Sequence, residues 1–511
     1  MSATPVSGSD DVVLADRPTV GPPRRYDFPS VTSQVLSNGL SLLIADLPGR
    51  PLVSASIVVR GGASQEPAEL AGSTVLAARA LSEGTERYDA IQLVEAAERL
   101  GASIHADAGW DALSASVEVP ADRLAPAFDL VAEVLLRPTF PESEVERLRD
   151  ERLNDLLQAQ ADPRRRAEQA FADTVYAPAS PYHRPSGGTR ETVERLTAGD
   201  LRTAYERNLD PRRATLVVGG DLGGQDVVEL AERLFGAWRS TGSGPGAVDD
   251  SIVDTAASDR RVVRVIHRPG SVQTEIRIGH RGLPRRIPDF HAVSVMSAIL
   301  GGLFNSRLNM KLREEKGYTY GAGAGFDLRR GAGPFAARAA VNTEVTVAAT
   351  LDTLAELNRM REQPVEPAEL QAARDFLVGV FPLRFETSGA VVGAVSGLAV
   401  HGLPLEELID YRARIEAVDR AAVEAAARSH LHVDTAAIVL VGDADAFGAE
   451  LEAAGLGPVV IERDAPAELA PPPEPEVATP GPVDRDDEEG PTAGAEEPEL
   501  PGVPGGPGEA G

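Results

Sequence analysis

The stretch that decides the fold is SASIVVRGG, residues 54–62, because a similar stretch, EIRIGHRGL, recurs at residues 275–283. Each reads as an apolar strand that ends in an Arg and a glycine-containing turn. A second pair follows the same rule: ATLVVGGDL at 214–222 recurs as AAIVLVGDA at 436–444. Arg60 corresponds to Arg281 and Asp221 to Asp443, offsets of 221 and 222 residues. The sequence therefore predicts two repeated halves.

The segments between these anchors also correspond. RPTFPESEVERLRDERL (137–153) and EQPVEPAELQAARDFL (362–377) each place a Pro-containing turn before an acidic helix start. Each half reads as strand, helix pair, glycine-punctuated strands, long helices and strand, which differs from a βαβ alternation. We predict an α+β fold of two similar tandem domains, each an antiparallel sheet with helices packed on one face.

Composition divides the chain into five segments. Residues 1–28 are predicted to be a flexible arm, 29–239 the first domain, 240–259 a Gly/Ser-rich linker, and 260–463 the second domain. Residues 464–511 carry 13 acidic residues and one Arg among many Pro and Gly. Such a segment cannot bury enough apolar surface to offset its ordering entropy, so we predict a disordered acidic tail.

The overall charge and composition exclude several function classes. A net charge of −28 argues against binding to nucleic acid or to anionic membranes. The chain has no Cys, which excludes disulfides and thiolate metal sites. We expect no secretory signal and no membrane span, since SGAVVGAVSGLAVHG (388–402) is too short and too rich in small residues. A cytoplasmic protein that binds proteins, peptides or small molecules is expected.

Histidine spacing gives little support to a metal site. No two of the eight His stand at i and i+4. His430 and His432 in SHLHVD are predicted to share one face of a strand, where they either help to bind a metal or simply precede TAAIVLVGD. GAGAGF (321–326) resembles a phosphate loop, but its alternation predicts a strand.

One predicted helix has well-marked ends and no catalytic side chain. In AGSTVLAARALSEGTERY (71–88), Ser73 or Thr74 is expected to cap the helix, and Gly84 is expected to form a left-handed cap at its C-terminus. The stretch contains no His, Cys or Asp. The helix is therefore predicted to be structural.

A second long helical pattern, FHAVSVMSAILGGLFNSRLNMKLREEKGYTYG (290–321), ends in a corner rich in donors. Gly301 and Gly302 interrupt it at a point where the backbone is expected to approach another chain closely. Arg313 is predicted on the last turns of the helix, and Tyr320 on the next strand, past a cap at Gly317. A guanidinium and a phenol converging there form a site for a carboxylate or peptide carbonyls. The alternative is a surface Arg beside a Tyr at the edge of the core.

The N-terminal residues resemble a known family. Residues 35–106 are similar to the first domain of the pitrilysin or insulinase type of zinc metallopeptidase, the inverzincins. The resemblance covers about residues 30–447. Its landmarks in the first half are Asn38, Gly39, Gly62, Glu66, Gly72, Gly84, Thr85 and Gly101.

The resemblance also shows what is missing. Catalytic members carry H-x-x-E-H on the first helix, and alignment on the Gly84-Thr85 ending places Val75 and Arg79 at the His positions and Ala78 at the Glu position. The third ligand of the family, a Glu, falls at Asp155. The resemblance thus implies a degenerate zinc site in which this chain holds no metal, no other cofactor and no catalytic residue.

The second half keeps the other motif of the family. An Arg and a Tyr seven residues apart bind the substrate peptide in similar proteins, which implies substrate-binding roles for Arg313 and Tyr320, with Tyr318 as a competitor. Short members often form heterodimers of a zinc-bearing subunit and an Arg/Tyr-bearing subunit. This chain resembles the second kind, like the non-zinc subunit of the mitochondrial processing peptidase.

Three hypotheses follow. The favoured one is a non-catalytic, substrate-binding subunit of a two-subunit zinc metallopeptidase that cleaves unstructured peptides, with zinc and general base supplied by a homologous partner. The alternative is a proteolytically inactive scaffold. The third, an autonomous peptidase with another metal site, is disfavoured because the His are scattered.

Overall fold

The computed structural model describes residues 21, 24–240 and 252–463. The predicted acidic tail (464–511) lies outside the described residues, as do most of the predicted arm (1–28) and more than half of the predicted linker (240–259). The predicted domain limits therefore stay predictions. The contacts group the described residues in one compact unit, so both sheets belong to the same body.

The first half contains six strands and eight α-helices. The strands are β1 Thr32–Val35, β2 Ser41–Asp46, β3 Leu52–Arg60, β4 Ser103–Ala108, β5 Ala112–Pro120 and β6 Ala214–Gly220. The helices are α1 Ser73–Ala80, α2 Ala90–Arg99, α3 Leu124–Leu136, α4 Glu142–Ala161, α5 Pro163–Val175, α6 Arg190–Val193, α7 Ala198–Asn208 and α8 Val227–Phe235.

The second half contains six strands and nine α-helices, interrupted by two π-helical segments. The strands are β7 Val263–His267, β8 Gln273–Arg281, β9 Ala322–Phe326, β10 Pro334–Asn342, β11 Ala437–Gly442 and β12 Val459–Arg463. The helices are α9 Phe290–Ser297, α10 Arg307–Asn309, α11 Thr346–Glu362, α12 Pro367–Val380, α13 Ser388–His401, α14 Glu406–Ile409, α15 Tyr411–Glu416, α16 Arg420–His430 and α17 Ala444–Ala453. The π-helical segments are Ala298–Gly302 and Met310–Glu315.

The two sheets confirm the predicted α+β class and the repeat. The first runs β1-β2-β6-β3-β5-β4 and the second β12-β7-β11-β8-β10-β9. The order β2-β6-β3-β5-β4 therefore recurs as β7-β11-β8-β10-β9, with the outer edge strand supplied from opposite ends of the two halves. The segment GAGAGF forms β9, as its alternation predicted.

The prediction of purely antiparallel sheets is wrong. β2 pairs in parallel with β6, and β7 pairs in parallel with both β11 and β12, while the remaining pairs are antiparallel. The partners in each parallel pair lie far apart in the chain, with helices between them, so their direction is not set by a local hairpin. Strand direction thus depends on the long connections and not on the local alternation of side chains.

The prediction of helices on one face only is also wrong, because each sheet is covered on its second face by a helix from the other half. Helix α13 packs on β3 and β6 of the first sheet, and α5 packs on β8 and β11 of the second. β6 and β11 are buried along almost their whole length. Strands that are apolar on both faces need cover on both faces, and the exchanged helices α5 and α13 provide it.

The alternation of side chains along β11 shows how the two faces differ. Ala437, Val439 and Val441 pack with residues of α5, whereas Ile438 and Leu440 belong to the core beneath the helices of the second half. A shift in register by one residue would exchange these two sets. Packing of α5 on this face therefore fixes the register of β11 as well as the burial of its side chains.

Helices of membrane-spanning type are scarce in the described residues. No single described helix is both long and apolar enough to cross a membrane. The segments Pro367–Phe385 and Ser388–His401 meet the criteria of length and composition only when taken together, across a bend of 114°.

Candidate functional site

Helix α1, which carries the degenerate zinc motif, is anchored at its N-terminus by a buried carboxylate. The Glu66 side chain accepts hydrogen bonds from the backbone N–H of Gly72 at 2.7 Å and of Thr74 at 3.1 Å. The N-cap residue is Gly72, with φ of 95°, so the predicted cap at Ser73 or Thr74 is wrong. Burial raises the pKa of the Glu66 carboxyl, although these N–H groups oppose the rise.

The C-terminal end of α1 also differs from the prediction. The helix ends at Ala80, four residues before Gly84, and Gly84 does not adopt a left-handed conformation. Instead, a Cβ at Gly84 would lie 2.6 Å from Cγ of Pro141. This glycine is required by a close approach between chain segments and not by a helix cap.

The side chains at the three motif positions of α1 offer no metal ligand. Val75 is 8% exposed and Ala78 is fully buried, both in the core of the first half. Arg79 is exposed, and its charge helps to lower the pKa of Arg152 on α4, which is lowered mainly by burial. A positively charged guanidinium thus stands where a catalytic relative has an imidazole.

The fourth predicted position, Asp155 on α4, is already engaged. Its carboxylate accepts hydrogen bonds from Arg152 and from Arg165, the latter at 2.7 Å. Burial raises the pKa of the Asp155 carboxyl, but Arg165 and Arg152 more than offset this, and the pKa lies below its usual value. The Asp155 carboxylate is therefore ionised and paired with two guanidinium groups. Val75 and Ala78 offer no ligand atom, so these positions do not fit a zinc ion, which needs at least three N, O or S ligands.

The predicted His pair does not form a metal site among the described residues. His430 is the last residue of α16 and lies 2.7 Å from a carboxylate oxygen of Asp289. His432 follows that helix, so its predicted placement on a strand is wrong; its backbone N–H donates to Nε2 of His280 at 3.0 Å. Both residues are accounted for by contacts within the second half.

One cluster of potential metal ligands occurs in the described part of the chain, at His267, Asp443 and Asp445. Nδ1 of His267 accepts the N–H of Ala444 at 3.2 Å, and the Asp443 side chain caps the start of α17. These atoms are already used in local structure, and none belongs to the predicted sites. The cluster therefore joins β7 to α17.

The Arg313 and Tyr320 corner lies at the end of the second π-helical segment. Arg313 is on the last turn, its guanidinium 4.5 Å from the ring centre of Phe304 and 3.4 Å from a carboxylate oxygen of Glu314. Gly317 has φ of 65° and ends the helix, as predicted. Tyr320 precedes β9, so its predicted placement on the strand is wrong.

Exposure separates the two tyrosines of this corner. Tyr320 is 92% exposed and forms no hydrogen bond or ring contact with any described residue. Tyr318 is partly buried, packs against the core of the second half, and donates its backbone N–H to Leu312 at 2.8 Å. Tyr320 is therefore the more accessible phenol of this corner, while Tyr318 packs against the core of the second half.

The sequence reasoning missed Phe304. It is 68% exposed, and its ring supports the Arg313 guanidinium from below. Its available sequence signal is its position just after Gly301 and Gly302, which interrupt the helical pattern. A Cβ at Gly301 would lie 2.1 Å from the backbone N of Ala324, so the close approach is to β9 of the same chain; an approach to another chain stays a prediction.

Ion pairs between Glu168 of the first half and two Arg of the second half connect the two halves. Glu168 on α5 accepts from Nε of Arg277 at 2.7 Å and from Nε of Arg338 at 2.9 Å. Arg277 is 1% exposed and also donates to Glu275 at 2.9 Å. Beside this group, a cavity of about 370 Å³ reaches the backbone at residues 321–323, next to Tyr320.

Two family models match this chain. The model described as "Insulinase (Peptidase family M16)" matches residues 42–183, and the one described as "Peptidase M16 inactive domain" matches residues 195–377. The two regions together cover more than half of the chain, and β1, β11 and β12 lie outside them.

Individual relatives agree with these matches. A protein named "Non-peptidase homolog YmxG" from Helicobacter pylori is 25% identical over 70% of this chain and 81% of its own length. An uncharacterized zinc protease of Mycobacterium bovis is 26% identical over 70% of this chain and 80% of its own. The crystal structure of a peptidase M16 inactive domain from Pseudomonas fluorescens aligns with a TM-score of 0.74 and 25% identity, over 81% of this chain and 98% of that one.

Proposed function

Since this chain belongs to peptidase family M16, we propose that it is the non-catalytic, substrate-binding subunit of a two-subunit zinc metallopeptidase. Its partner is a homologous subunit that carries H-x-x-E-H and supplies both the zinc and the general base. The complex cleaves unstructured peptides in the cytoplasm. Absence of the zinc ligands from α1 supports the non-catalytic half of the proposal.

The single observation that carries the binding role is the exposure of Tyr320 beside Arg313. A Tyr that is 92% exposed contributes little to the stability of the fold, and the Arg313 guanidinium rests on the ring of Phe304, which is 68% exposed. These groups present one hydroxyl and several N–H donors to a peptide backbone. The corner thus has the chemistry of a clamp for peptide carbonyls or a carboxylate.

The contribution of this chain to cleavage is orientation. The peptide lies as an added strand on a sheet edge of the partner, and Arg313 and Tyr320 hold its carbonyl groups from the opposite side. Fixing a substrate against a reacting group contributes several kcal/mol, about 7 in favourable systems. The partner's zinc supplies a water activated for attack on the amide.

The test is a reconstituted peptidase assay. The purified chain is mixed with a homologous subunit carrying H-x-x-E-H from the same genome, and cleavage of an unstructured fluorogenic peptide is followed. We expect no activity from this chain alone and activity from the mixture. Arg313→Ala and Tyr320→Phe should each lower kcat/KM by about tenfold or more, the size expected for loss of a charge-assisted or well-placed hydrogen bond.

Two variants serve as matched controls. Tyr318→Phe removes the competing hydroxyl, and Arg190→Ala removes an exposed Arg whose ion pair is with Glu194 on its own helix. Both should leave kcat/KM within about twofold of the unaltered complex. Full activity of the zinc subunit without this chain would contradict the proposal and favour the inactive scaffold.

A further inference from the structure

A second cavity lies between α4, α5 and the loop that follows α5, close to the degenerate zinc positions. We call it the α4–α5 cavity; its volume is about 340 Å³. Ligand pockets in proteins range from roughly 300 to 1,000 Å³, so this one accommodates a small ligand. Its wall also includes Trp110 from the turn between β4 and β5, and Arg329 from the connection between β9 and β10.

The wall of this cavity is positively charged in a protein whose net charge is −28. Four guanidinium groups line it, and the single acid among the lining residues, Glu168, is already bonded to Arg277 and Arg338. The lining guanidinium groups belong to Arg152, Arg165, Arg184 and Arg329. A local excess of positive charge in a half-open cavity attracts an anion.

Three of the four guanidinium groups are held in place by the protein. Arg152 and Arg165 share the carboxylate of Asp155, and Arg152 also donates to the carbonyl of Gly187 at 2.9 Å. Arg329 donates to Asp327 at 2.9 Å. Each of these groups keeps at least one N–H that is not used in these bonds. The donors are therefore preorganised, which lowers the entropic cost of binding.

Aromatic rings complete the support of Arg329. Its guanidinium lies 4.7 Å from the ring centre of Trp110 and 4.6 Å from that of Tyr182, and the two rings pack edge to face at 5.1 Å. This arrangement fixes the plane of the guanidinium. It also gives the cavity an apolar side next to its charged side.

Arg184 differs from the other three. Its Nε is buried and has no hydrogen-bond partner in the described part of the chain. Burial lowers the pKa of Arg184, while the charges of Glu66 and Glu69 oppose this, and an Arg side chain stays protonated in any case. The buried Nε itself is closed to a ligand, but an anion beside the rest of the Arg184 guanidinium would offset part of the free energy of burying its charge.

We propose that the α4–α5 cavity binds the carboxylate of a small ligand that also carries an apolar group, either a short peptide with a free C-terminus or an organic acid. The carboxylate is held by Arg184, with Arg152 and Arg329 beside it. The apolar group lies against Trp110 and Leu156. The cavity lies beside Asp155, one of the degenerate zinc positions, and presents guanidinium groups to an anion. The site needs no partner subunit.

The test uses the purified full-length chain alone, with calorimetric titration and Trp fluorescence, since Trp110 lies in the cavity wall. The probes are acetyl-Ala-Leu with a free carboxylate, the same peptide as its C-terminal amide, hexanoate, and inorganic phosphate. We expect the peptide acid to bind and the amide to bind at least about tenfold more weakly. Hexanoate binding as tightly as the peptide acid assigns the site to organic acids; weaker hexanoate binding assigns it to a peptide terminus.

Variants localise the binding. Arg184→Gln removes the unpartnered guanidinium, and Ala159→Phe fills the cavity without changing its charge; each should weaken binding of the acid by about tenfold or more. Arg190→Gln, on the exposed start of α6, should not change it. Thermal melts confirm that each variant is folded. Equal binding of acid and amide, phosphate binding as tight as the acid, unchanged binding in both cavity variants, or no binding at millimolar concentration would each overturn the proposal.

Discussion

Arg79 and Asp155 show how single residues decide what the first half can bind. Zinc needs neutral imidazoles and free carboxylates around one point. Here one ligand position carries a fixed positive charge, and the carboxylate at another is shared by two guanidinium groups. N–H donors in this region come instead from the guanidinium groups that line the α4–α5 cavity, among them Arg152 and Arg165, which share the Asp155 carboxylate. Residue chemistry alone therefore moves this region from metal ions toward anions.

Protonation of His280 is coupled to the stability of the fold. Its Nδ1 lies 2.8 Å from the carbonyl of Arg281 and its Nε2 accepts the N–H of His432 at 3.0 Å, so the neutral ring with the proton on Nδ1 satisfies both bonds. Burial lowers the pKa of His280 to about 4, with the backbone carbonyl opposing and His432 adding to the shift. A proton on Nε2 would face another N–H group.

We expect acid to destabilise the protein through this residue. The folded pKa lies below the unfolded value of about 6.5, so the unfolded state binds more protons between these values and stability falls as pH falls from about 6.5 toward 4. His280 contributes about 2 kcal/mol to this loss at pH 5. Urea unfolding of the wild type and of His280→Gln at pH 7 and pH 5 measures it. An equal loss in the two proteins would contradict the assignment.

The two π-helical segments are the elements that shape the Arg313 corner. They flank Phe304, and each replaces regular α-helix in the pattern that the sequence presents as one long helix. π-helical turns are rare and often occur at functional sites, because they redirect side chains out of the helical register. The first segment is held against β9 by the contact of Gly301 with Ala324.

Gly301→Ala is therefore expected to lower the free energy of unfolding by about 1–3 kcal/mol, since its Cβ would lie 2.1 Å from a backbone nitrogen and the two elements must separate. Gly325→Ala on β9 is the matched control, because no atom lies within 4 Å of its added Cβ. Chemical denaturation compares the two. A loss for Gly301→Ala no larger than that of the control would show that β9 and the π-helical segment are not tightly packed.

Exchange of α5 and α13 joins the halves into one molecule. Without α13, the second face of the first sheet would expose Val217. The helix packs closely on this face, since a Cβ at Gly219 would lie 2.9 Å from a side-chain carbon of Val392. Without α5, the second sheet would lose the cover of Phe171, and Glu168 would no longer be available to Arg277 and Arg338. Each half thus depends on the other for burial of its own sheet.

At the scale of the whole molecule we predict one cooperative unfolding transition for both halves. Calorimetry should give a van't Hoff enthalpy close to the calorimetric enthalpy. Chains divided within residues 241–251 should fail to fold separately and should recover native circular dichroism when both parts are present together. Two well-separated transitions, or a half that folds alone, would contradict this expectation.

The sequence by itself determined the α+β class, the repeat, and the absence of zinc ligands at Val75, Ala78 and Arg79. These features depend on the identity and periodicity of residues close together in the chain, and on the order in which similar segments recur. The same local information predicted β9 and the cap at Gly317. It failed where a distant group supplies the contact, as Glu66 does for α1 and Pro141 does for Gly84.

Tertiary structure alone decided the exchange of α5 and α13, the engagement of Asp155, the difference between Tyr318 and Tyr320, and the α4–α5 cavity. Contacts such as that between Glu168 and Arg338 join residues 170 positions apart, and no local pattern specifies them. A sheet with two apolar faces must be covered twice, but the pattern along one strand does not say which helix covers the second face. Helix α1 is therefore recognisable from its sequence, whereas the charge of the site beside it depends on how α4 and α5 pack.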